Sequence, residues 1–343
     1  MSKLTHEQLI KFPKIELHRH LEGCFYPPVL FYLAKKNKLD FPSDYTAFVK
    51  ELQFPQDSAP DFHLFLSKFI NSWYKSLDDV ADVVYGSVSH IDTGDNLAYL
   101  ELRFNPYHYA ARNNFEVTDT LKVVLQAAQA AAAKLPFKVR YLLTFNRMQF
   151  KDNEMLEIFK KFEKYNNLDE IVGIDLAGDE VNFPPELFPN FFDYVHQAGY
   201  KATIHAGEVS SAAQIWTAID TLHAGRIGHG VRCIDDERLQ EVMKERNIAL
   251  EQCLVSNYQT NAWADYASHP LRKLFDKGLP VTLNSDDPTV QGKTLNDDYI
   301  LASEKLNFTR EEFIKLNLNA IEASFLPADE KAELKVKYLN DCE

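Results

Sequence analysis

The chain has 343 residues, 45% of them hydrophobic, enough to bury a sizeable core as one large α/β barrel or as two ordinary domains. A formal net charge of -13 argues against nucleic acid or an anionic membrane as main partner, since both require a basic face. No apolar run approaches the roughly 20 residues of a membrane span, and the start Met1-Ser2-Lys3-Leu4 lacks a signal-peptide core, so a cytoplasmic protein with a small-molecule substrate is expected. Cys24, Cys233, Cys253 and Cys342 lack Cys-x-x-Cys spacing, which suggests neither a disulfide framework nor a thiolate zinc site. They are expected to be reduced, with Cys253 buried.

Eight apolar, strand-like runs follow one another: Lys14 to His20, Ala98 to Asn105, Lys138 to Asn146, Ile171 to Ala177, Lys201 to His205, Arg226 to His229, Ile248 to Cys253 and Pro280 to Asn284. Helical patterns separate the later ones. Thr118 to Leu135 is rich in Ala and Leu, with Thr118 as its cap and Pro136 beyond its end. Asn153 to Tyr165, Pro189 to Ala198, Ser211 to Leu222, Asp236 to Arg246 and His269 to Lys277 also read as helices. Strict alternation of eight strands with helices predicts a (β/α)8 TIM barrel. No Gly-rich phosphate loop follows the first strand, which weakens the dinucleotide-binding alternative.

The connection from Gly23 to Asn96 is too long for a simple βα unit. Pro28 to Asn37 and Asp61 to His90 read as helical within it, and residues 24–96 are expected to form a helical insertion over the barrel mouth. Asp297 to Leu306, Arg310 to Ala323 and Ala328 to Tyr338 read as further helices packed outside. With no linker, composition shift or repeat, residues 1–343 are expected to be one barrel domain. Nothing in the chain specifies an oligomeric state.

The chemistry gathers at strand ends, where such barrels build their active sites. In Ile15-Glu16-Leu17-His18-Arg19-His20 the two histidines lie two apart on a strand and so share a face. Alone, that pair reads equally as half a metal site or as two unrelated loop-edge histidines. Three further apolar runs supply partners: Thr203-Ile204-His205-Ala206-Gly207-Glu208, Arg226-Ile227-Gly228-His229 and Leu283-Asn284-Ser285-Asp286-Asp287. Three imidazoles (His18, His20, His205) and one carboxylate (Asp286) suit a catalytic zinc ion with a position left for water, although other divalent metals could bind. Zinc would supply hydroxide at neutral pH.

Glu208, three residues past His205, could swing back over the metal at a tight turn and act as proton donor and shuttle. His229 could orient the attacking hydroxide. Asp287 could accept a hydrogen bond from substrate, or cap a turn before Pro288. Gly178 either serves the turn after strand four or lets backbone approach a ligand. The remaining histidines, His6, His63, His90, His108, His196, His223 and His269, have no such context and read as surface or core residues.

At this point the chain resembles the adenosine deaminases, especially their bacterial branch, from about Lys14 to about Pro327. The resemblance rests on His18-Arg19-His20-Leu21-Glu22-Gly23, Asp175-Leu176-Ala177-Gly178-Asp179-Glu180, His205-Ala206-Gly207-Glu208, Arg226-Ile227-Gly228-His229-Gly230, Glu251-Gln252-Cys253-Leu254-Val255-Ser256-Asn257 and Ser285-Asp286-Asp287-Pro288. It implies one zinc per chain at His18, His20, His205 and Asp286, with proton delivery to purine N1 by Glu208. It also implies that His229 positions the hydroxide attacking C6, and that Asp287 and the Gly178 backbone hold ring nitrogens. Adenosine and 2′-deoxyadenosine would give inosine and 2′-deoxyinosine plus ammonia, in purine salvage.

Many members of that family carry Asp where this chain has Glu22, the residue implied to meet the ribose 5′-hydroxyl. Relatives acting on adenine or on 5′-extended adenosines often carry Glu. The alternative substrates are therefore 6-aminodeoxyfutalosine, of a menaquinone route, and adenine. Gly228 speaks against adenine, because adenine-specific relatives tend to carry Asp there. A two-metal phosphotriesterase or cyclic amidase would want a bridging Lys after strand four, where this chain has Leu176-Ala177-Gly178. A non-catalytic purine-binding protein would have little reason to keep Glu208 beside a full zinc set.

Overall fold

The computed structural model describes residues 3–69, 73–92, 94–111 and 113–342. Eight strands are found among them: β1 Lys14–His20, β2 Leu97–Phe104, β3 Lys138–Asn146, β4 Ile171–Ala177, β5 Lys201–Ala206, β6 Arg226–His229, β7 Ala249–Gln252 and β8 Val281–Leu283. Each pairs in parallel with its neighbour in sequence order, from β1 through β8. A bridge between Arg19 and Asp286 brings the chain beyond β8 against the end of β1. This is the expected (β/α)8 barrel. Parallel strands covered on both faces should read as near-continuous apolar runs, and every residue of β2 is buried.

The outer helices bury one apolar stripe each. Val117–Ala132 turns Leu121, Val124, Leu125, Ala128 and Ala131 inward, the spacing expected of an amphipathic helix. It begins one residue before Thr118, which is therefore not its cap. The Thr118 hydroxyl instead reaches the Glu116 side chain. Leu295–Lys305, Arg310–Ala323 and Ala328–Asp341 follow the last strand.

Between β1 and β2 the insertion contains Pro27–Lys36, Tyr45–Leu52, Phe62–Leu66 and Leu77–Ser89. The expected helical run from Asp61 to His90 is broken because it holds two N-caps. The Asp61 carboxylate accepts the Leu64 N–H at 2.6 Å, and the Ser76 hydroxyl accepts the Asp79 N–H at 3.2 Å. Each cap starts its own helix. Residues 70–72 lie outside the described part of that run.

The barrel interior is charged where the site needs support. Arg103 donates to Asp175 at 3.2 Å and to Glu251 at 2.7 Å, while Arg226 donates to Glu251 at 2.5 Å and lies 2.7 Å from Glu101. All five side chains are fully buried. Two guanidiniums face three carboxylates, of which Glu251 and Asp175 also meet the Nδ1 atoms of His18 and His205 at the strand ends.

Candidate active site

His18 and His20 leave β1 on one face, their ring centroids 5.3 Å apart. His205 on β5 adds a third ring, 4.7 Å from His18 and 5.3 Å from His20. The His20 and His205 Nε2 atoms are 3.3 Å apart. Asp286 Oδ1 lies 3.2 Å from His18 Nε2 and 3.4 Å from His20 Nε2. His18 Nε2 and Asp286 Oδ1 are buried without a hydrogen-bond partner, and atoms left so call for a further partner, which an ion between them could supply.

The outward ring nitrogens explain why the inward ones are free. His18 Nδ1 meets Glu251 Oε2 at 2.7 Å, and His205 Nδ1 meets Asp175 Oδ1 at 3.0 Å and the Leu176 carbonyl at 3.1 Å. A ring nitrogen facing those acceptors carries the proton, which leaves the Nε2 lone pair directed into the centre. Three imidazole nitrogens and one carboxylate oxygen fit a divalent metal ion. Cys253 is also near, its donor atom within 4.8 Å of those of His18 and Asp286. Burial and the Asp286 carboxylate hold its thiol well above the usual range.

Asp286 and His229 sit at strand ends with φ of 67° and 57°, a region that side-chain-bearing residues adopt at a cost of order 1–3 kcal/mol each. Backbone bonds hold Asp286 there: its N–H donates to the His18 carbonyl at 3.0 Å and its carbonyl accepts the His20 N–H at 2.9 Å. The His229 carbonyl accepts from the Gln252 side-chain amide. At Gly228 a Cβ would come within 3.1 Å of the His205 ring and 3.2 Å of the His18 ring. Packing against the histidines thus favours glycine there.

Glu208 turns back over the centre after Gly207, whose φ is 65°. Its Oε1 accepts the Thr260 hydroxyl at 3.0 Å. Burial first, then the Asp286 and Glu180 carboxylates, push the Glu208 carboxyl well above the usual range. Its Oε2 lies 3.8 Å from His229 Nε2, which is 3.9 Å from Asp286 Oδ2. Burial, Asp286 and Glu22 raise the Asp287 carboxyl in the same way, and Asp287 Oδ1 is buried without a partner. Gly178 follows β4 with a φ of 101°.

His20, Glu22, Gly178, Glu208, His229, Asp286 and Asp287 border one cavity of about 290 Å³, roofed by Phe62, Phe65, Leu66 and Phe69 of the insertion. His18 lies fully buried beneath it. Glu22 Oε1 accepts the Asn105 N–H at 2.9 Å, and burial pushes its carboxyl up to about 7 despite that bond. All the residues expected from sequence to form the site therefore meet at one end of the barrel.

Sequence reasoning quoted Asp175, Glu180 and Glu251 within motifs but gave them no part. The readable signal for Asp175 and Glu251 was a carboxylate inside an otherwise apolar strand. Asn257 likewise stands in a quoted motif without a role, whereas Thr260 and His269 carry no local signal and reach the site only through the fold. All four cysteines are free and buried; burial was expected of Cys253 alone.

The family model described as Adenosine deaminase matches residues 13–339. An adenosine deaminase of Aliivibrio fischeri is 34% identical over 330 residues, covering 95% of this chain and 97% of the relative. One from Escherichia coli O1:K1 is 32% identical over 331 residues with the same coverage. Among solved structures, an adenine deaminase from Arthrobacter aurescens superposes with a TM-score of 0.86 at 27% identity, over 96% of this chain and 98% of that one. An amidohydrolase from Burkhoderia ambifaria with bound Zn shares the fold, with a TM-score of 0.88 at 23% identity over 99% of this chain and 94% of that one. With its barrel, its cluster of histidines and aspartate, and a family match from residue 13 to residue 339, the chain belongs to the adenosine deaminase family.

Proposed function

We propose that the protein hydrolyses the C6 amino group of adenosine and 2′-deoxyadenosine, releasing ammonia with inosine or 2′-deoxyinosine, in cytoplasmic purine salvage. The observation that carries this reading is Glu208: a buried carboxyl, raised well above its usual range by burial and the neighbouring Asp286 and Glu180 carboxylates, over a ready-made cluster of metal donors. His18, His20, His205 and Asp286 would hold one zinc ion per chain. Bound there, zinc would supply Lewis acidity and make hydroxide available near neutral pH.

Glu208 delivers its proton to purine N1, which turns C6 into an electrophile and keeps the tetrahedral intermediate neutral. Binding that intermediate more tightly than the planar substrate lowers the barrier. His229 holds the attacking oxygen. Purine ring nitrogens other than N9 are acceptors, so Asp287 and the Gly178 N–H act on them as donors. This reverses the direction expected for Asp287 from sequence, because burial beside Asp286 keeps its proton in place. Residues 1–343 act as one unit, with 24–96 covering the mouth.

The described residues lining the cavity include Glu22, Glu208, Asp286 and Asp287 but no lysine or arginine. That lining favours an uncharged nucleoside over a phosphorylated one. Glu22 would meet the ribose 5′-hydroxyl. One observation favours a second reading, a 5′-modified adenosine such as 6-aminodeoxyfutalosine: Glu22 Oε1 is already taken by the Asn105 N–H.

The test follows deamination of adenosine, 2′-deoxyadenosine, 5′-deoxyadenosine, adenine and 6-aminodeoxyfutalosine at low substrate concentration. Losing the 5′-hydroxyl leaves a buried acceptor unpaired at about 1–3 kcal/mol, so 5′-deoxyadenosine should be roughly 5–150-fold poorer in kcat/KM. Adenine should be nearly inert. If 6-aminodeoxyfutalosine outruns adenosine, or 5′-deoxyadenosine matches it, the second reading takes its place.

A further inference from the structure

His229 stands among the metal donors yet is not one of them. Its ring centroid is 4.8 Å from that of His18 and 5.2 Å from that of His205, as close as the ligands are to one another. Behind it runs a file of buried polar groups that ends on the main chain. Asn257 Nδ2 lies 3.1 Å from His229 Nδ1, Asn257 Oδ1 lies 3.1 Å from His269 Nε2, and the Leu271 N–H reaches His269 Nδ1 at 3.2 Å. Asn257 is fully buried, and His229 and His269 are each 2% exposed.

The last of these groups fixes the rest. A backbone N–H can only donate, so His269 Nδ1 must offer its lone pair. Burial lowers the His269 ring to about 3, so it carries one proton, which then sits on Nε2 and is donated to Asn257 Oδ1. With its oxygen so engaged, the Asn257 amide turns its NH2 toward His229. The opposite amide orientation would set NH2 against the His269 N–H, two donors face to face.

We propose that His269 and Asn257 are positioning residues which transmit the polarity of the Leu271 amide to His229, fixing it as the tautomer with its proton on Nε2. The inference rests on the reading of His229 as the residue that holds the attacking oxygen. A protonated Nε2 has no lone pair for a metal, which keeps His229 out of the ligand set despite its proximity. It also makes His229 a hydrogen-bond donor to the attacking oxygen rather than an acceptor of that oxygen's proton. A doubly protonated His229 is disfavoured too, since Nδ1–H would face the Asn257 NH2.

The test is a long-range ¹H–¹⁵N correlation spectrum of the full-length, zinc-loaded protein with ¹⁵N-labelled histidine, assigned with His229→Gln and His269→Gln. Both histidines should show protonated Nε2 and bare Nδ1. A proton on Nδ1 of either overturns the proposal. Asn257→Asp replaces the donor with an acceptor, and should move the His229 proton to Nδ1. It should lower kcat by roughly 10–100-fold, the usual range for a residue supporting a catalytic ligand, with KM within about threefold and zinc content unchanged. An Asn257→Asp enzyme with unchanged tautomer and kcat would also overturn it. Should that variant fail to fold, the parent spectrum still decides. Protein showing both expected tautomers but no ammonia from any aminopurine contradicts the activity alone, whereas Nδ1–H in an active enzyme contradicts this inference alone.

Discussion

One oxygen of Glu180 receives three successive backbone N–H groups of the Glu208 loop, from Glu208 at 2.8 Å, Val209 at 2.7 Å and Ser210 at 2.8 Å. The carboxylate thus anchors the turn that carries the candidate proton donor, and its charge helps to keep that donor protonated. Glu180→Ala leaves the buried Glu208 N–H unpaired at about 1–3 kcal/mol, and frees the half-buried Val209 and Ser210 N–H groups at a smaller cost each. Thermal melts should show a strongly destabilised protein, with Glu180→Gln much closer to the parent because its amide oxygen can still accept. Equal melting of all three would contradict the anchoring role.

Glu208→Gln should keep the fold and the metal but lose turnover, because an amide cannot deliver the N1 proton. General acid catalysis contributes roughly 10²–10⁴-fold. Steady-state kinetics placing the variant within about threefold of the parent, some 0.65 kcal/mol, would remove Glu208 from the mechanism.

Glu251 orients His18 and receives both Arg103 and Arg226. Glu251→Gln should weaken metal binding by roughly 10–100-fold, measured by chelator competition, without removing any ligand. Asp286→Ala removes one of the proposed ligands and should abolish tight binding. Equal affinities for parent and Glu251→Gln would mean that the interior charge network does not support the centre.

Glu22 gives a pH signature. Its folded carboxyl is raised from 4.5 to about 7. A raised acid contributes stability that is full below its unfolded value and lost as pH climbs through the folded one. Melting temperatures of the parent and Glu22→Gln should therefore diverge between about pH 5 and about pH 8, in favour of Glu22→Gln at the higher pH. A pH-independent difference would mean that Glu22 is ionised throughout that range.

The barrel was legible because strands covered on both faces read as near-continuous apolar runs, even with a few buried charges among them. β1, β3, β4 and β6 begin and end where the apolar runs do. Residues ending those runs were legible as a site because barrels gather strand ends, which joins His18 to Asp286 across 268 positions of sequence. The insertion was harder to read. Its helices are short and held by packing, and the two caps at Asp61 and Ser76 were overlooked within one helical run. Least legible were groups such as His269 and Thr260. Each is a common polar residue whose role arises only when the fold sets it beside Asn257 or Glu208.

The most direct measurement is of ammonia and inosine formed from adenosine by a preparation whose zinc content is determined on the same sample. One zinc per chain, with ammonia and inosine formed in equal amounts, is the result expected. Protein carrying its full zinc yet releasing no ammonia from adenosine or any other aminopurine would contradict the account.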